Sequence, residues 1–502
     1  MMRQRTVAGL HAEALAKACC WLARRSLGVG GLLVLGLSAG AALMLAAAPL
    51  RAQKPLFTTT VPASEFAARR AALMRSIGDG VAIVRGATER PVYKPFRQGA
   101  QFFYLTGVEV PRAMLLVDGR AKSSTLFLPA RDERMERSEG PLLGPGPDAE
   151  RLSGIERVVA RGDFDAALAA IAAEGRQIFT TFRPEALEAS TPGQVRTHAR
   201  KTADDKWDGR KSREDVFREK LAALSPKSEI ADLDRILDRM RLVKSAREIA
   251  LVRESSRLAG EAMLEAMRVA RPGMKEHEIE AVGDYVFKAH GSQGIGYFAL
   301  VATGTNAAWP HYHAGRATLA DGDLVLFDYA PDVNYYTSDV TRMFPANGRF
   351  TPRQREMYGI YAKLYEALLT SIRPHVAPRV VIAAAHRKMT GIMKTFAFSD
   401  PKVRAAADRF VAGYANANRN SLGHWIGMEV HDVTAPYETL EPGMMFTIEP
   451  ALTIPDERIY IRLEDAIVIT ADGYENMSGF VPFDIEGVER VMREEPKYVR
   501  AR

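Results

Sequence analysis

The chain has 502 residues, of which 47% are hydrophobic and 26% are charged, and its formal net charge is +7. This length predicts two or three domains. Residues 1–52 hold six basic residues and one acid, or +5 of the charge, so the remaining +2 argues against an acidic partner such as nucleic acid.

Residues 1–52 have the pattern of a secretory signal peptide. A basic segment precedes a long apolar run, and small residues lead to a cleavage site after Ala52. The run is also long enough to span a bilayer, so a retained membrane anchor stays open as the alternative. Both cysteines, Cys19 and Cys20, lie here, so the mature chain would have no disulfide or thiolate ligand. We expect a periplasmic or secreted protein with no stable membrane span after cleavage.

Residues 57–235 are predicted to form a mixed α/β domain. A segment of helical periodicity, ASEFAARRAALMRSI, precedes four short apolar runs that are typical of strands: GVAIVRG, QFFYLTG, AMLLVDG and STLFLPA. Residues 185–227 are charged and poor in apolar side chains, which predicts a solvated insertion or long loop. A long helix from Ser245 to Ala270 then opens a second domain, predicted to span residues 240–492.

An apolar strand pair in the second domain carries two unexpected acids. If LVLFDYA and YYTSDVTRMF turn at Val333 and Asn334, Asp328 lies directly opposite Asp339, about 5 Å away. Facing carboxylates repel each other, and a metal ion would resolve the repulsion.

The same arrangement recurs downstream. A turn between Asp456 and Glu457 places Glu449 opposite Glu464 in MMFTIEPALTI and RIYIRLEDAIVI, with Arg462 on the same face. One such pair has a structural explanation as a salt-bridged network, but two matched pairs indicate a metal site. Both placements depend on register, which a slip of one residue would destroy.

Histidines that could complete such a site lie in two segments. SLGHWIGMEVHDV contains His424 and His431, and WPHYHAG, just upstream of the first acidic strand, contains His311 and His313. A lone histidine is usually a structural residue, but here several accompany four acids.

These segments carry a family resemblance. HYHAGRATLADGDLVLFDYA, YYTSDVTRMFP, SLGHWIGMEVHD, EPGMMFTIEP and YIRLEDAIVIT resemble, in order, the motifs of the metallopeptidase family that contains aminopeptidase P, prolidase and methionine aminopeptidase. FRQGAQFFYLTGVEVPRAMLLV resembles the N-terminal domain of the proline-specific branch, which methionine aminopeptidases lack. The resemblance implies an α/β (α+β) protein with an N-terminal mixed α/β domain followed by a C-terminal pita-bread catalytic domain.

Carried over by position, the resemblance implies two divalent metal ions held by Asp328, Asp339, His424, Glu449 and Glu464. Asp339 and Glu464 would bridge both ions, Asp328 would complete one ion, and His424 and Glu449 would complete the other. This donor set suits Mn²⁺ and is compatible with Co²⁺ or Zn²⁺.

The resemblance also implies catalytic roles. Glu449 would be the general base, and His431 would stabilise the tetrahedral intermediate or pass a proton to the departing proline nitrogen. His311 would contact the substrate, and Arg462 would orient the acids. Asn420 stands where this branch usually has a histidine, a departure that bears on proline specificity.

The expected protein is therefore an exported aminopeptidase that hydrolyses the bond between an N-terminal residue and a following proline. The short segment between His431 and Glu449 favours it over an Xaa-Pro dipeptidase (prolidase), although SDVTRMFPANGRFT is close to the prolidase pattern. A non-catalytic binding protein on the same fold is the other alternative, disfavoured because all five ligand positions are present. The resemblance further implies a homo-oligomer, because family members often form dimers or tetramers.

Overall fold

The computed structural model describes residues 60–89, 94–186, 189–416 and 418–498. The predicted signal peptide and both cysteines lie outside the described residues. Within the described ranges, no helix combines the length and the apolar character needed to cross a membrane.

A six-stranded mixed sheet organises the N-terminal half, with strand order β4-β3-β2-β1-β5-β6. The elements are α1 (Ala63–Ile77), β1 (Val81–Arg85), α2 (Ala100–Thr106), β2 (Met114–Asp118), β3 (Ser123–Leu128), α3 (Glu133–Glu139), α4 (Pro147–Ser153), β4 (Arg157–Ala160), α5 (Phe164–Glu174), β5 (Ile178–Thr180), α6 (Pro192–Asp204), α7 (Arg213–Leu224), β6 (Ile230–Asp232) and α8 (Asp234–Leu242). Residues 133–141, which contain α3, belong to a separate compact unit.

Two predictions for this half are wrong. QFFYLTG is not a strand but the helix α2, which ends at Gly107 in a left-handed cap whose N–H bonds to Phe103 O. A short apolar run fits a buried helix as well as a strand, so periodicity alone could not decide. The charged segment 185–227 is largely exposed to solvent, as predicted, but it is not a long loop, because it contains α6 and α7. A capping box of Thr191 and Gln194 begins α6 and is the sequence signal that marks this helix.

The C-terminal half combines long helices with four small antiparallel sheets. Its elements are α9 (Ala246–Val269), α10 (Glu276–Ala289), β7 (Gly294–Ile295), β8 (Leu300–Thr303), β9 (Leu324–Asp328), β10 (Pro331–Val333), β11 (Tyr336–Thr337), β12 (Thr341–Pro345), α11 (Pro352–Leu369), α12 (Pro378–Thr395), α13 (Pro401–Tyr414), β13 (Met445–Ile448), β14 (Ala451–Ile454), β15 (Ile459–Arg462), β16 (Asp465–Ile469), β17 (Tyr474–Asn476) and α14 (Ile485–Val491). The predicted helix from Ser245 to Ala270 is confirmed as α9, with Ser245 as its N-cap in a capping box.

The predicted register of the first acidic hairpin is wrong. Asp328 lies opposite Thr341, not opposite Asp339. The turn consists of Asn334 and Tyr335, whose φ angles of 49° and 74° suit a two-residue turn with two left-handed positions. The shift is two residues, so Asp339 stays on the predicted face and becomes a diagonal neighbour of Asp328.

The predicted register of the second acidic hairpin is confirmed. Glu449 lies across from Glu464, in the interval between the β13–β16 ladder and the β14–β15 ladder. An isolated bridge between Thr341 and Glu464 joins this hairpin to the first one. The two hairpins therefore bring their acids to one place.

The turn of the first hairpin is anchored in the N-terminal half. The ring of Tyr335 stacks on Phe103 with centroids 3.6 Å apart, and the guanidinium of Arg97 lies 4.1 Å from the Tyr335 ring centre. The Tyr335 hydroxyl donates to Glu109 at 2.8 Å and accepts the Gln98 backbone N–H at 2.8 Å. The hairpin that carries Asp328 is thus fixed at its tip.

Replacing Tyr335 with Phe should test this anchor. The variant leaves the buried Gln98 N–H without its acceptor, so the free energy of unfolding should fall by about 1–3 kcal/mol in a denaturant titration. Tyr285→Phe, at a half-exposed position, is the control and should change stability by less than about 0.5 kcal/mol. Equal effects in both variants would contradict the anchor.

Candidate metal centre

The five predicted metal ligands lie together, and the local backbone explains how. Asp328 ends β9, Asp339 lies just before β12, and Glu449 and Glu464 occupy the interval between ladders. His424 lies in the loop after α13, and its backbone O accepts the Thr447 N–H at 2.9 Å.

A glycine allows this close approach of the His424 loop. A Cβ at Gly423 would lie 1.9 Å from Thr447 O, so any side chain there would push the loop away from β13. The position of the imidazole therefore depends on the residue before it.

The His424 ring is the centre of the cluster. Its Nε2 lies 3.3 Å from Asp339 Oδ2, 3.4 Å from Glu449 Oε1 and 3.6 Å from Glu464 Oε1. One ligand atom each from Asp339, His424 and Glu464 all lie within 4.8 Å of one another. The other ring nitrogen of His424, Nδ1, lies 3.2 Å from Trp425 O, which leaves Nε2 to face the acids.

Arg462 and Tyr297 hold the remaining acid. The Arg462 guanidinium pairs with Asp328, and it also lies 3.7 Å from Glu449 Oε2 and 4.0 Å from Glu464 Oε2. The Tyr297 hydroxyl donates to the other Asp328 oxygen at 2.6 Å. As predicted from strand alternation, Arg462 faces the same side as Glu464.

Crowding of buried acids shifts their protonation. Burial and the charges of Glu464 and Asp328 raise the pKa of Asp339 well above its usual range. Burial and the Glu464 charge raise the pKa of Glu449 to about 7. Burial also raises the pKa of Asp328, against the opposing effect of Arg462. The metal-free site thus retains protons that a cation would displace.

The donor set fits a divalent cation. Asp339 Oδ1 and Glu464 Oε1 are buried and have no hydrogen-bond partner among the residues that the structure describes. Unpaired buried acceptors are costly, and a metal ion bound between these atoms would satisfy them. Oxygen atoms from four carboxylates, with one imidazole, are ligands of Mn²⁺, Co²⁺ or Zn²⁺.

His431 lies beside the metal ligands without being one of the clustered donors. Its ring stacks on His424 with centroids 3.8 Å apart and planes 9° apart. Burial and the nearby charge of His424 lower the pKa of His431 to about 4, so this ring is neutral at pH 7 in the metal-free protein.

An ion cluster missed from the sequence flanks His431. The Arg241 guanidinium pairs with Glu429 and lies 2.5 Å from Asp432 Oδ1, and Lys244 Nζ lies 3.0 Å from Asp432 Oδ2. All four side chains are buried. The basic partners lie far upstream in the chain, so local spacing gives no signal of these pairs.

His311 lies apart from the carboxylates, on an exposed loop, and among the described contacts no hydrogen bond or ion pair joins its ring to them. It is close enough for its charge to act on His431. A buried carboxylate, Glu276, anchors the loop from both ends. Its oxygens accept hydrogen bonds from Thr303 N at 2.9 Å, Asn306 Nδ2 at 3.0 Å, Tyr312 Oη at 2.9 Å and Ala317 N at 3.0 Å.

Comparison with known proteins identifies two family matches and similar peptidases. Metallopeptidase family M24 matches residues 250–471, and the aminopeptidase P N-terminal domain matches residues 66–179. Xaa-Pro aminopeptidase from Escherichia coli K12 is 31% identical over 461 residues, covering 85% of this chain and 97% of the relative.

Solved structures are similar over nearly their whole length. The structure of Pseudomonas aeruginosa aminopeptidase PepP matches with a TM-score of 0.68 at 31% identity. The alignment covers 86% of this chain and 98% of the PepP chain. Zinc-substituted E. coli aminopeptidase P in complex with product has a TM-score of 0.68 at 30% identity, with the same coverage of 86% and 98%.

The fold and the site define a hydrolase that depends on divalent metal ions and cleaves peptide bonds. The chain belongs to metallopeptidase family M24, with the N-terminal domain of aminopeptidase P. The predicted fold class is confirmed, and a non-catalytic binding protein is not favoured.

Metal binding should stabilise the protein through Asp339. At a free Mn²⁺ concentration 100 times the dissociation constant, the wild-type unfolding free energy should rise by about 2.7 kcal/mol. Asp339→Asn should be more stable than wild type without metal, because the amide avoids the cost of burying or protonating a carboxylate beside other acids, and it should lose the gain with metal. Thermal unfolding with and without Mn²⁺ measures both effects.

The exposed Asp163→Asn is the matched control for this prediction and should respond to metal as the wild type does. A full metal response in Asp339→Asn would exclude Asp339 as a ligand.

Proposed function

We propose that this peptidase is an exported Xaa-Pro aminopeptidase, which removes the N-terminal residue of a peptide whose second residue is proline. The observation that carries the proposal is the cluster of four carboxylates, His424 and Arg462 in a protein that also has the aminopeptidase P N-terminal domain. The names of the similar full-length proteins support the same activity.

Two divalent ions are proposed as the cofactor, held by Asp328, Asp339, His424, Glu449 and Glu464, with Mn²⁺ preferred. One such ion binds about four to six ligands in total, and some of these must be water and substrate. Five donor side chains are therefore more than a single ion needs. When bound, the ions supply Lewis acidity that polarises the scissile carbonyl and lowers the pKa of water.

The chain's own residues move the protons. Glu449 is partly exposed, and its Oε1 lies 3.4 Å from His424 Nε2, so its carboxylate is placed beside the proposed ions to accept the proton of the attacking water. His431, at the edge of the cluster, is placed to stabilise the charge that develops on the carbonyl oxygen or to transfer a proton to the departing nitrogen. The proline nitrogen carries no hydrogen in the peptide, so it must gain one on leaving.

His311 and Arg462 have positioning roles, the first toward the substrate and the second toward the acids. His311, on the exposed loop anchored by Glu276, contacts the substrate, and its accessibility suits that role. Arg462 keeps Asp328 and Glu464 in one orientation through its ion pairs. Asn420 is also exposed, in the loop before His424, at the position where this branch usually has a histidine.

Peptide length tests the function. The metal-reloaded protein should release the first residue of Xaa-Pro-Xaa tripeptides at least as fast as it cleaves the matched Xaa-Pro dipeptides, as measured by chromatography of the products. Asp339→Ala should abolish the activity on both. Cleavage confined to dipeptides would identify the Xaa-Pro dipeptidase instead, and cleavage of matched Xaa-Ala-Xaa peptides at equal rates would exclude proline specificity.

Export to the periplasm or the medium is proposed from residues 1–52. N-terminal sequencing of the protein recovered from the exported fraction should begin near Gln53. An intact N-terminus in the membrane fraction would identify a retained anchor instead. A homo-oligomer is also proposed, which light scattering on the same sample can measure.

A further inference from the structure

The hydrogen-bonded ladders beside the metal site are interrupted at the two ligands themselves. Residues 449–450 form a gap between β13 and β14, and residues 463–464 form the matching gap between β15 and β16. The register is the same on both sides, so no residue is inserted. The backbone groups in the gap therefore need partners other than the opposite strand.

A tyrosine hydroxyl from helix α11 bridges this gap. Tyr361 donates to Pro450 O at 2.6 Å and accepts the Leu463 N–H at 2.7 Å. Pro450 has no N–H and cannot complete a ladder pair. The hydroxyl therefore links the residue after Glu449 to the residue before Glu464, in place of the missing direct bonds.

A second tyrosine, one helical turn further along, holds the other end of the gap. The Tyr365 hydroxyl lies 3.1 Å from Ile448 O and 2.8 Å from Asp465 Oδ2, between which it shares its proton. Asp465 also pairs with Arg342 at 2.7 Å, and Arg342 donates to the backbone O of Glu464 at 2.8 Å. The carbonyl of Ile448, just before Glu449, and the carbonyl of Glu464 itself thus both accept hydrogen bonds from buried side chains.

We propose that Tyr361 and Tyr365 are positioning residues of the metal site, which set its metal affinity by holding the backbones of Glu449 and Glu464. Both tyrosines are fully buried behind the site. Without the Tyr361 hydroxyl, Pro450 O and Leu463 N–H are left unpaired unless the strands close on each other. That closure moves both carboxylates, and ligands held in the wrong place bind metal weakly. This inference rests on the proposed ligand set.

The same helix provides a matched control. Tyr358 is as fully buried as the other two tyrosines, but its hydroxyl has no hydrogen-bond partner among the described residues. Removing this hydroxyl deletes the same atom from the same helix without releasing a group in the ladder gap.

The test is a calorimetric titration of Mn²⁺ into the metal-free full chain of each variant. Tyr361→Phe should weaken Mn²⁺ binding by about tenfold or more, in the range seen when residues supporting metal ligands are removed. Tyr365→Phe should weaken it less, because Arg342 and Ser478 still bond to Asp465. Tyr358→Phe should bind as the wild type does. Denaturant unfolding of the metal-free variants is measured in parallel.

The outcomes separate this inference from the proposed function. If the wild type binds Mn²⁺, Asp339→Ala does not, and both Tyr361→Phe and Tyr365→Phe keep wild-type affinity, the inference is overturned and the metal site stands. A loss of unfolding free energy with unchanged Mn²⁺ affinity overturns it too, because that is a purely structural role. The inference is also overturned if Tyr358→Phe weakens Mn²⁺ binding as much as Tyr361→Phe does. If Asp339→Ala binds like the wild type, the ligand assignment itself fails. Tyr365→Phe serves alone if Tyr361→Phe does not fold.

Discussion

Four carboxylates lie within a few ångströms of one another in a largely buried site. The electrostatic repulsion among them is the constraint on which the rest of the structure depends. Burial disfavours each charge, and each neighbour disfavours it further, as the raised pKa values of Asp339 and Asp328 show. A single imidazole and one guanidinium offset part of that cost. Retained protons balance the rest in the absence of metal, and a divalent cation that displaces them would be held by the same crowded carboxylates.

The surrounding polar groups make this arrangement rigid. Tyr297 and Thr341 donate hydrogen bonds to Asp328 and Glu464, and the tyrosines of α11 bond to the backbone on the opposite side. The interruption of the ladder at Glu449 also contributes to this rigidity. In a regular strand pair the backbone groups would bond to each other, and the tyrosines of α11 would have no backbone group to hold. Rigidity of this kind suits hydrolysis, since the acids need not rearrange when charge develops on the substrate.

The two halves of the chain meet at the hairpin that carries Asp328. Its turn stacks on Phe103, and the buried Arg241 joins Gln101 in α2 to the acids beside His431. The N-terminal half therefore contacts both the turn of the hairpin that carries Asp328 and the ion cluster that flanks His431. These contacts give a physical reason why the N-terminal half accompanies this site, since losing it would leave the buried acids Glu429 and Asp432 without Arg241 and the hairpin turn without support.

The sequence by itself determined the family, and it predicted that the four acids, His424 and Arg462 belong to one site, because carboxylates that interrupt apolar strands are costly and therefore informative. It also predicted the second hairpin's register, since PDE marks that turn, and the helix α9. Only the tertiary structure decided the first register, where two left-handed residues shift the turn, and the helical state of QFFYLTG. The same holds for Glu276, Arg241, Tyr361 and Tyr365. Their partners lie far away in the chain, and a side chain that bonds to a distant backbone group leaves no periodic pattern in the sequence.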